Sequence, residues 1–427
     1  MRGTDTAMTH SVAARPAQLP GIRWAIVGLL MAAAAINYID RSCIGIAAPK
    51  IQQEFNLSDT QIGMILGVFQ AGYVAAYILS GVIVDRIGAR AGYSLFMTVW
   101  SCAVALTSLG RRVWQFVFFR VFLGIGEAGC WPTSNKVVAE WFPQQERPLA
   151  CGLFDGGSKL GMMLGPPLIA SLVLHWGWRW SFVAAGASGF VWIVLWMIVY
   201  RRPNHASAAV ELASAAAGPR WKEFLRYPQV WGVLVLNAST ATTWFVLSNW
   251  LPKYYYEVHR IDFRLLGWYA SMPMIGAVVG NVGGGWLLGW LIHRRSMSVT
   301  SARRGMIICS VAMMSCLIPA AYIPDVSVST ALMAVVGMGY SAHATNILSS
   351  ISDFVSPGQV ATLTGIQATG AYILTLPIVT SAGWIVERFG YTPLFVTCAG
   401  LPYLSIVAAY TLIRAFAPIQ FKEAIHS

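Results

Sequence analysis

Six charged side chains interrupt runs that are otherwise apolar, and their types and spacing define what chemistry the chain can do. Asp40 and Arg41 are adjacent, Arg120 and Glu127 lie seven residues apart, and Asp155 and Lys159 lie four apart. Seven residues is about two helical turns, so Arg120 and Glu127 face nearly the same way. A carboxyl that must bind and release a proton needs a movable pKa; burial raises it and a nearby arginine lowers it. Asp40 and Glu127 have the neighbours for that toggle. The alternative is a static ion-pair lock between two helices. An arginine fork binds both oxygens of a carboxylate ligand. Arg41 or Arg120 could do this, with Arg41 the favoured contact for an anion and Arg120 the favoured group to tune Glu127. Asp155 and Lys159 stand at i, i+4 with the acid first, a favourable helix pair. Two readings stay open for them: a self-neutralising pair, or Lys159 facing a cavity as a second cationic anchor. Lys136, near a helix end, is expected to snorkel.

Other polar groups in apolar runs could complete a pocket: Gln70, Tyr73 and Tyr77, then Asn249, and further on His343, Asn346, Gln367 and Tyr372. His343 reads as a pH sensor or as a satisfied core histidine. No His/Cys/Asp set has the pattern of a nucleophile and its base, and the seven cysteines contain no CxxC pair, so neither catalysis, a metal nor a cofactor is expected. Gly124 to Gly129 spells GxGxxG, but inside an apolar run it reads as close helix packing rather than a dinucleotide site.

The elements that must position these groups follow from composition. Of 427 residues, 56% are hydrophobic and 11% charged, against about 25% charged in a soluble domain. The apolar runs reach about 20 residues, the length that spans a ~30 Å hydrocarbon core. Lipid allows only helices or closed barrels, and the runs lack period-two alternation, so they are helices. Twelve are expected, at 24–48, 61–84, 91–110, 113–140, 149–174, 179–200, 228–251, 265–291, 303–322, 328–352, 360–385 and 391–415. With both termini in the cytoplasm, 17 Lys and Arg fall on the inner side and 8 on the outer, while Arg41, Arg120, Lys136 and Lys159 lie within helices. That bias obeys the positive-inside rule, so the net charge of +12 is topological and does not point to nucleic acid. The first 20 residues lack the apolar core of a cleaved signal.

The expected organisation is a cytoplasmic tail (1–23), a six-helix bundle (24–200), a cytoplasmic linker (201–227) rich in Ala and Ser, a second six-helix bundle (228–415) and a tail (416–427). The bundles echo each other. Gly177-Trp178-Arg179-Trp180 precedes the sixth helix and Gly390-Tyr391-Thr392-Pro393 the twelfth, an offset of 213. Gly81 to Arg86 and Gly285 to Trp290 follow the second and eighth helices at a similar offset of 204. Parallel six-helix repeats are a transporter architecture with the site between them near the midplane.

Gly81-Val82-Ile83-Val84-Asp85-Arg86-Ile87-Gly88-Ala89-Arg90 resembles the GxxxDRxGxR signature of the major facilitator superfamily, in which the Asp/Arg cluster clamps a cytoplasmic gate. In the second half Gly289 stands where the aspartate is expected. Asn37-Tyr38-Ile39-Asp40-Arg41, Arg120-Val121-Phe122-Leu123-Gly124 with Gly126-Glu127-Ala128, and Trp141-Phe142-Pro143 followed by Glu146-Arg147 are similar to the anion:cation symporter family. That resemblance implies an all-α major facilitator fold in a bacterial inner membrane, functional as a monomer. It implies symport of a small organic anion with protons, the proton gradient serving as the energy source. It assigns proton coupling to Asp40 and Glu127 and places Tyr73 near substrate. It implies a sugar acid first and an aromatic or other small carboxylate second; an exchanger or exporter on the same fold is the rival mode. Thr369-Gly370-Ala371 stands where relatives often have TGN, removing an amide that would contact hydroxyls.

Overall fold

The computed structural model describes residues 20–201 and 221–421. Residues 202–220 of the expected linker, 1–19 of the expected N-terminal tail and 422–427 of the expected C-terminal tail lie outside the described residues. The described chain is helical, and ten of its segments are long and apolar enough to cross a membrane.

Seven helices precede residue 201: α1 (Pro20–Phe55), α2 (Asp59–Ile87), α3 (Ala89–Thr107), α4 (Val113–Glu127), α5 (Cys130–Trp141), α6 (Arg147–Trp176) and α7 (Trp178–Val199). Among the described residues ten α-helices follow: α8 (Trp221–Phe224), α9 (Pro228–Asn249), α10 (Leu251–Glu257), α11 (Phe263–His293), α12 (Val299–Met314), α13 (Leu317–Tyr322), α14 (Val326–Phe354), α15 (Val360–Phe389), α16 (Tyr391–Gly400) and α17 (Tyr403–Thr411). Most ends fall close to expectation, but α1 runs on to Phe55 rather than stopping near 48. The run expected as one helix over 113–140 breaks after Glu127, so this acid is the last residue of α4.

Local sequence sets the boundaries. Ser58 caps α2 by accepting from Gln61 N, and the Gln61 side chain accepts from Ser58 N, a reciprocal capping box. Asp325 accepts from Ser327 N and Val328 N at the start of α14. Gly177 and Gly390, which head the two echoed segments, have φ of +84° and +79°. Each ends one helix and opens the next, a backbone conformation that side chains disfavour.

Buried apolar residues form one large cluster drawn almost wholly from α1–α7 and another drawn almost wholly from α8 onward. Between them the halves meet backbone to backbone. A Cβ on Gly81 would sit 2.2 Å from Ala361 O, and one on Gly152 would sit 2.1 Å from Asn281 O. Both helix pairs, α2 with α15 and α6 with α11, therefore touch where no side chain intervenes. The GxGxxG glycines serve packing too: Gly124 lies on the Phe69 carbonyl and Gly126 on the Trp100 backbone.

Candidate functional site

A cavity of about 750 Å³ lies between the halves, within the range of small-molecule sites. α2 contributes Gln70, Tyr73 and Tyr77, and α6 contributes Asp155 and Lys159. α9 contributes Asn237 and Asn249, and α15 contributes Gln367 and Tyr372. Of the residues expected at a pocket, Gln70, Tyr73, Tyr77, Lys159, Asn249, Gln367 and Tyr372 line this cavity, and Arg41, His343 and Asn346 do not. Asn249 Nδ2 also donates to Phe245 O at 2.9 Å, which fixes its amide.

Arg41 stands immediately behind the lining. Its guanidinium carbon lies 4.8 Å from the ring centroids of Tyr38 and Tyr73, both of which line the cavity, and 4.9 Å from that of Phe69. Its Nε donates to Glu127 Oε2 at 2.6 Å, and its side chain keeps 20% of its exposure while Glu127 has none. Glu127 Oε1 and Arg41 Nη2 are buried without a hydrogen bond. The partner of Glu127 is thus Arg41, from another helix, rather than Arg120 on its own. Arg120 is buried against Phe69, 4.8 Å from the ring centroid. Asp40 is buried, and neither of its carboxylate oxygens is hydrogen-bonded; the same holds for both side-chain polar atoms of Asn37 and for Trp100 Nε1. This buried polar group is costly in an apolar bundle.

Asp155 and Lys159 are paired and also face the cavity. The ion pair forms at 3.1 Å, and both residues line the cavity. Trp131 Nε1 and Asn281 Nδ2 also donate to Asp155.

A second polar assembly joins the halves at the end bearing the Gly81–Arg90 motif. Asp85 Oδ2 accepts from Thr362 N at 2.7 Å and Oδ1 accepts weakly from Ala361 N at 3.4 Å. These are unpaired N–H groups in the first turn of α15, so Asp85 caps that helix from across the interface and faces the positive end of its dipole. Lys136 does not snorkel. Its side chain is 4% exposed, and Nζ binds Asp85 Oδ1 at 3.0 Å, Pro357 O at 2.9 Å and Glu140 at 3.4 Å. Of the motif arginines, Arg86 is exposed and Arg90 donates to Met197 O on α7 at 2.7 Å. The cation paired with Asp85 is therefore Lys136, not a motif arginine. Gly88 makes the turn between α2 and α3 with φ of +83°.

The second half has its own acid at this end. Asp353 accepts from Arg303 Nε at 2.6 Å and, across the interface, from Gln144 Nε2 at 2.9 Å. Arg303 Nη1 also donates to Asn346 Oδ1 at 2.9 Å. Asn346 therefore belongs to this network and not to the cavity. His343 likewise lies outside the lining, with Nε2 3.3 Å from Leu236 O and 3.4 Å from Ser405 Oγ. Where the expected aspartate is replaced by Gly289, the backbone instead packs close to Gln145 O.

Sequence reasoning missed Tyr38, Trp131 and Trp244 around the cavity, Asn281 behind Asp155, and the Arg303–Asp353 pair. Signals existed. Tyr38 lies within the same five-residue set as Asp40 and Arg41, and Asn281 is a lone amide in a Gly/Val run.

A family model described as Major Facilitator Superfamily matches residues 30–377. The chain is 31% identical over 394 residues to a probable L-galactonate transporter of Escherichia coli (strain K12), covering 87% of this chain and 85% of that protein. It is 24% identical over 424 residues to a hexuronate transporter of the same strain, covering 96% and 98% respectively. Among solved structures it resembles a Major Facilitator Superfamily transporter, FucP, in the outward conformation. The TM-score is 0.70 and the identity 16%, covering 91% of this chain and 99% of that one; at that identity the likeness is one of fold.

Proposed function

The chain belongs to the Major Facilitator Superfamily, and from that premise we propose that it imports a small organic anion, a sugar acid of the hexonate, hexuronate or aldarate kind, together with protons. The observation that carries this reading is the buried Arg41–Glu127 pair directly behind the tyrosine wall of a cavity between the halves. The transport names of the L-galactonate and hexuronate relatives support the substrate class.

Arg41 cannot serve Glu127 and a substrate carboxylate equally, because two like charges on one guanidinium repel. Protonation of Glu127 removes the competitor and frees the fork for the anion. Asp40, buried near the same group without a hydrogen bond, takes the second proton. The halves then rock, the anion leaves, and the protons follow as Arg41 returns to Glu127. With two protons per monoanion, one net charge crosses, worth about 2.3 kcal/mol per 100 mV.

The topology we propose has twelve spans: the ten apolar segments together with Ala89–Thr107 and Val326–Phe354, two further long helices. Both termini lie in the cytoplasm of a bacterial inner membrane, as the Lys/Arg bias favours. The Asp85–Lys136 and Asp353–Arg303 assemblies are then the closed cytoplasmic gate, and the protein works as a monomer.

The test is uptake of radiolabelled galactonate or galacturonate into proteoliposomes with an imposed pH gradient, acid outside. Wild-type protein should accumulate substrate, whereas Glu127→Gln should lose gradient-driven accumulation and retain counterflow exchange. Gradient-driven accumulation by Glu127→Gln at the wild-type level would remove Glu127 from the coupling. Equal wild-type counterflow with no response to a proton gradient would favour an exchanger.

A further inference from the structure

Asp155 accepts more hydrogen bonds than its lysine supplies. Trp131 Nε1 reaches Oδ1 at 3.0 Å, while Lys159 Nζ and Asn281 Nδ2 both reach Oδ2 at 3.1 Å. If Lys159 turns toward a ligand, two neutral donors still satisfy the carboxylate, one from each half. Lys159 Nζ is held by Asp155 and by Ser158 Oγ at 3.0 Å, and lies 5.1 Å from the Trp244 ring centroid. An ammonium has three N–H donors, so one is left without a hydrogen-bonding partner among the described residues. Both side chains line the cavity, with Trp131 and Trp244 flanking them.

Charge decides what such a pair can bind. Taken together, Asp155 and Lys159 are neutral. A second carboxylate set on Lys159 gains that attraction and meets the repulsion of Asp155 at nearly the same range. A hydroxyl suffers no such conflict: it accepts from Lys159 Nζ and donates to Asp155. The flat faces of Trp131 and Trp244 suit the C–H faces of a polyol chain or sugar ring. Tyr38 links the two ends: its ring lies 4.8 Å from the Arg41 guanidinium carbon and meets Trp131, which donates to Asp155, edge-on at 6.0 Å. An anion with its carboxylate at Arg41 can therefore lay its far end against the pair.

We propose that Asp155 and Lys159 form a hydroxyl-reading subsite, which selects an acid carrying hydroxyls remote from its carboxylate over a plain carboxylate of similar length. The proposal rests on the organic-anion reading above, and it assigns the hydroxyl recognition that the Thr369-Gly370-Ala371 segment lacks to α6, with Asn281 holding Asp155 from behind. The polar cavity amides Gln70 and Gln367 assist, but among the described lining residues only Asp155 and Lys159 offer a charged donor beside a charged acceptor.

Purified full-length protein is titrated calorimetrically with galactonate, galactarate and hexanoate, for wild type, Lys159→Met and the uncharged double variant Asp155→Asn/Lys159→Met. Wild type should bind galactonate at least tenfold more tightly than hexanoate. Lys159→Met should weaken galactonate roughly 10- to 100-fold more than hexanoate, the range for a hydrogen bond to a charged group, beyond a loss common to both acids from the Asp155 charge it strands. The double variant, which buries no unpaired charge, should show the same selective loss with a ligand-free melting temperature near that of wild type. Three outcomes overturn the subsite: equal losses for galactonate and hexanoate, a larger loss for galactarate than for galactonate, or wild-type binding of hexanoate as tight as galactonate. The last needs no variant to fold. If wild type binds hexanoate but neither hydroxylated acid, the sugar-acid reading itself falls, and the subsite with it. If wild type prefers galactonate and the variants are unaffected, only the subsite falls.

Discussion

Replacing Asp85 by asparagine tests the clamp that joins the halves at the motif end. The carboxylate accepts from Lys136 Nζ at 3.0 Å, from Thr362 N at 2.7 Å and weakly from Ala361 N at 3.4 Å. An amide oxygen can keep one backbone N–H but loses the charge, the ion pair and the second acceptor. A hydrogen bond to a charged group contributes about 1.5–3 kcal/mol. Breaking a buried pair outright costs about 3–5 kcal/mol because the survivor is stranded. Lys136 is not stranded, since Glu140 and Pro357 O still hold it. The loss should therefore be about 2–3 kcal/mol, which is roughly 30- to 150-fold in the closed-to-open ratio. Hydrogen–deuterium exchange reads this directly, because the Thr362 amide is one of the bonded groups. Peptides covering 357–364 should exchange faster by about that factor in Asp85→Asn, with little change in α3 or α7. If exchange there is unaltered, the cap on α15 contributes nothing to closure, and the argument from its bond lengths is wrong.

Two further outcomes are expected. Gly152→Val should cut uptake at least tenfold and lower the melting temperature without preventing membrane insertion, because its Cβ would lie 2.1 Å from the Asn281 carbonyl and α6 must move off α11; wild-type uptake by this variant would show that the seam is loose. His259, in the connection between α10 and α11, has its pKa lowered from 6.5 by partial burial, against a raising effect from the Pro324 carbonyl and Asp325. The neutral imidazole is the form the fold favours, so its contribution is present above about pH 6.5 and is lost as pH falls through the lowered value. Melting temperature should drop on acidification through that window, and His259→Gln should flatten part of the drop; identical pH profiles would count against it.

Legibility from sequence divides along a physical line. Helices were visible because lipid demands about 20 apolar residues, and buried charges were visible because they break those runs. Gln70, Tyr73, Lys159, Asn249 and Gln367 all reach one cavity for the same reason: a polar group in such a run needs somewhere polar to face. Pairing was not legible. Arg120 shares a helical face with Glu127, yet Arg41, 86 residues away in the chain, takes the carboxylate. Helical periodicity reports direction within one helix and says nothing of which neighbour arrives there. Lys136 misled in the same way. Near a helix end the default is to reach for water, but Asp85 and the Pro357 carbonyl arrive from other helices and give it a dry alternative. The Arg303–Asp353 pair escaped notice for the same reason: a separation of 50 residues carries no local signal.

The glycine seams bear on speed. Where Gly81 meets Ala361 and Gly152 meets Asn281, the facing surfaces are bare main chain. Separating interdigitated side chains requires each to change rotamer before the surfaces part, and each must find its slot again on return. Smooth main-chain surfaces carry no such rotamer choice, so they can part and meet again without a search. The tightness of the closed state then resides in a few charged bonds at one end, and its ease of parting in the seams. A mutation that roughens a seam should slow both directions of the swing alike, whereas one that weakens Asp85 should speed opening far more than it slows closing.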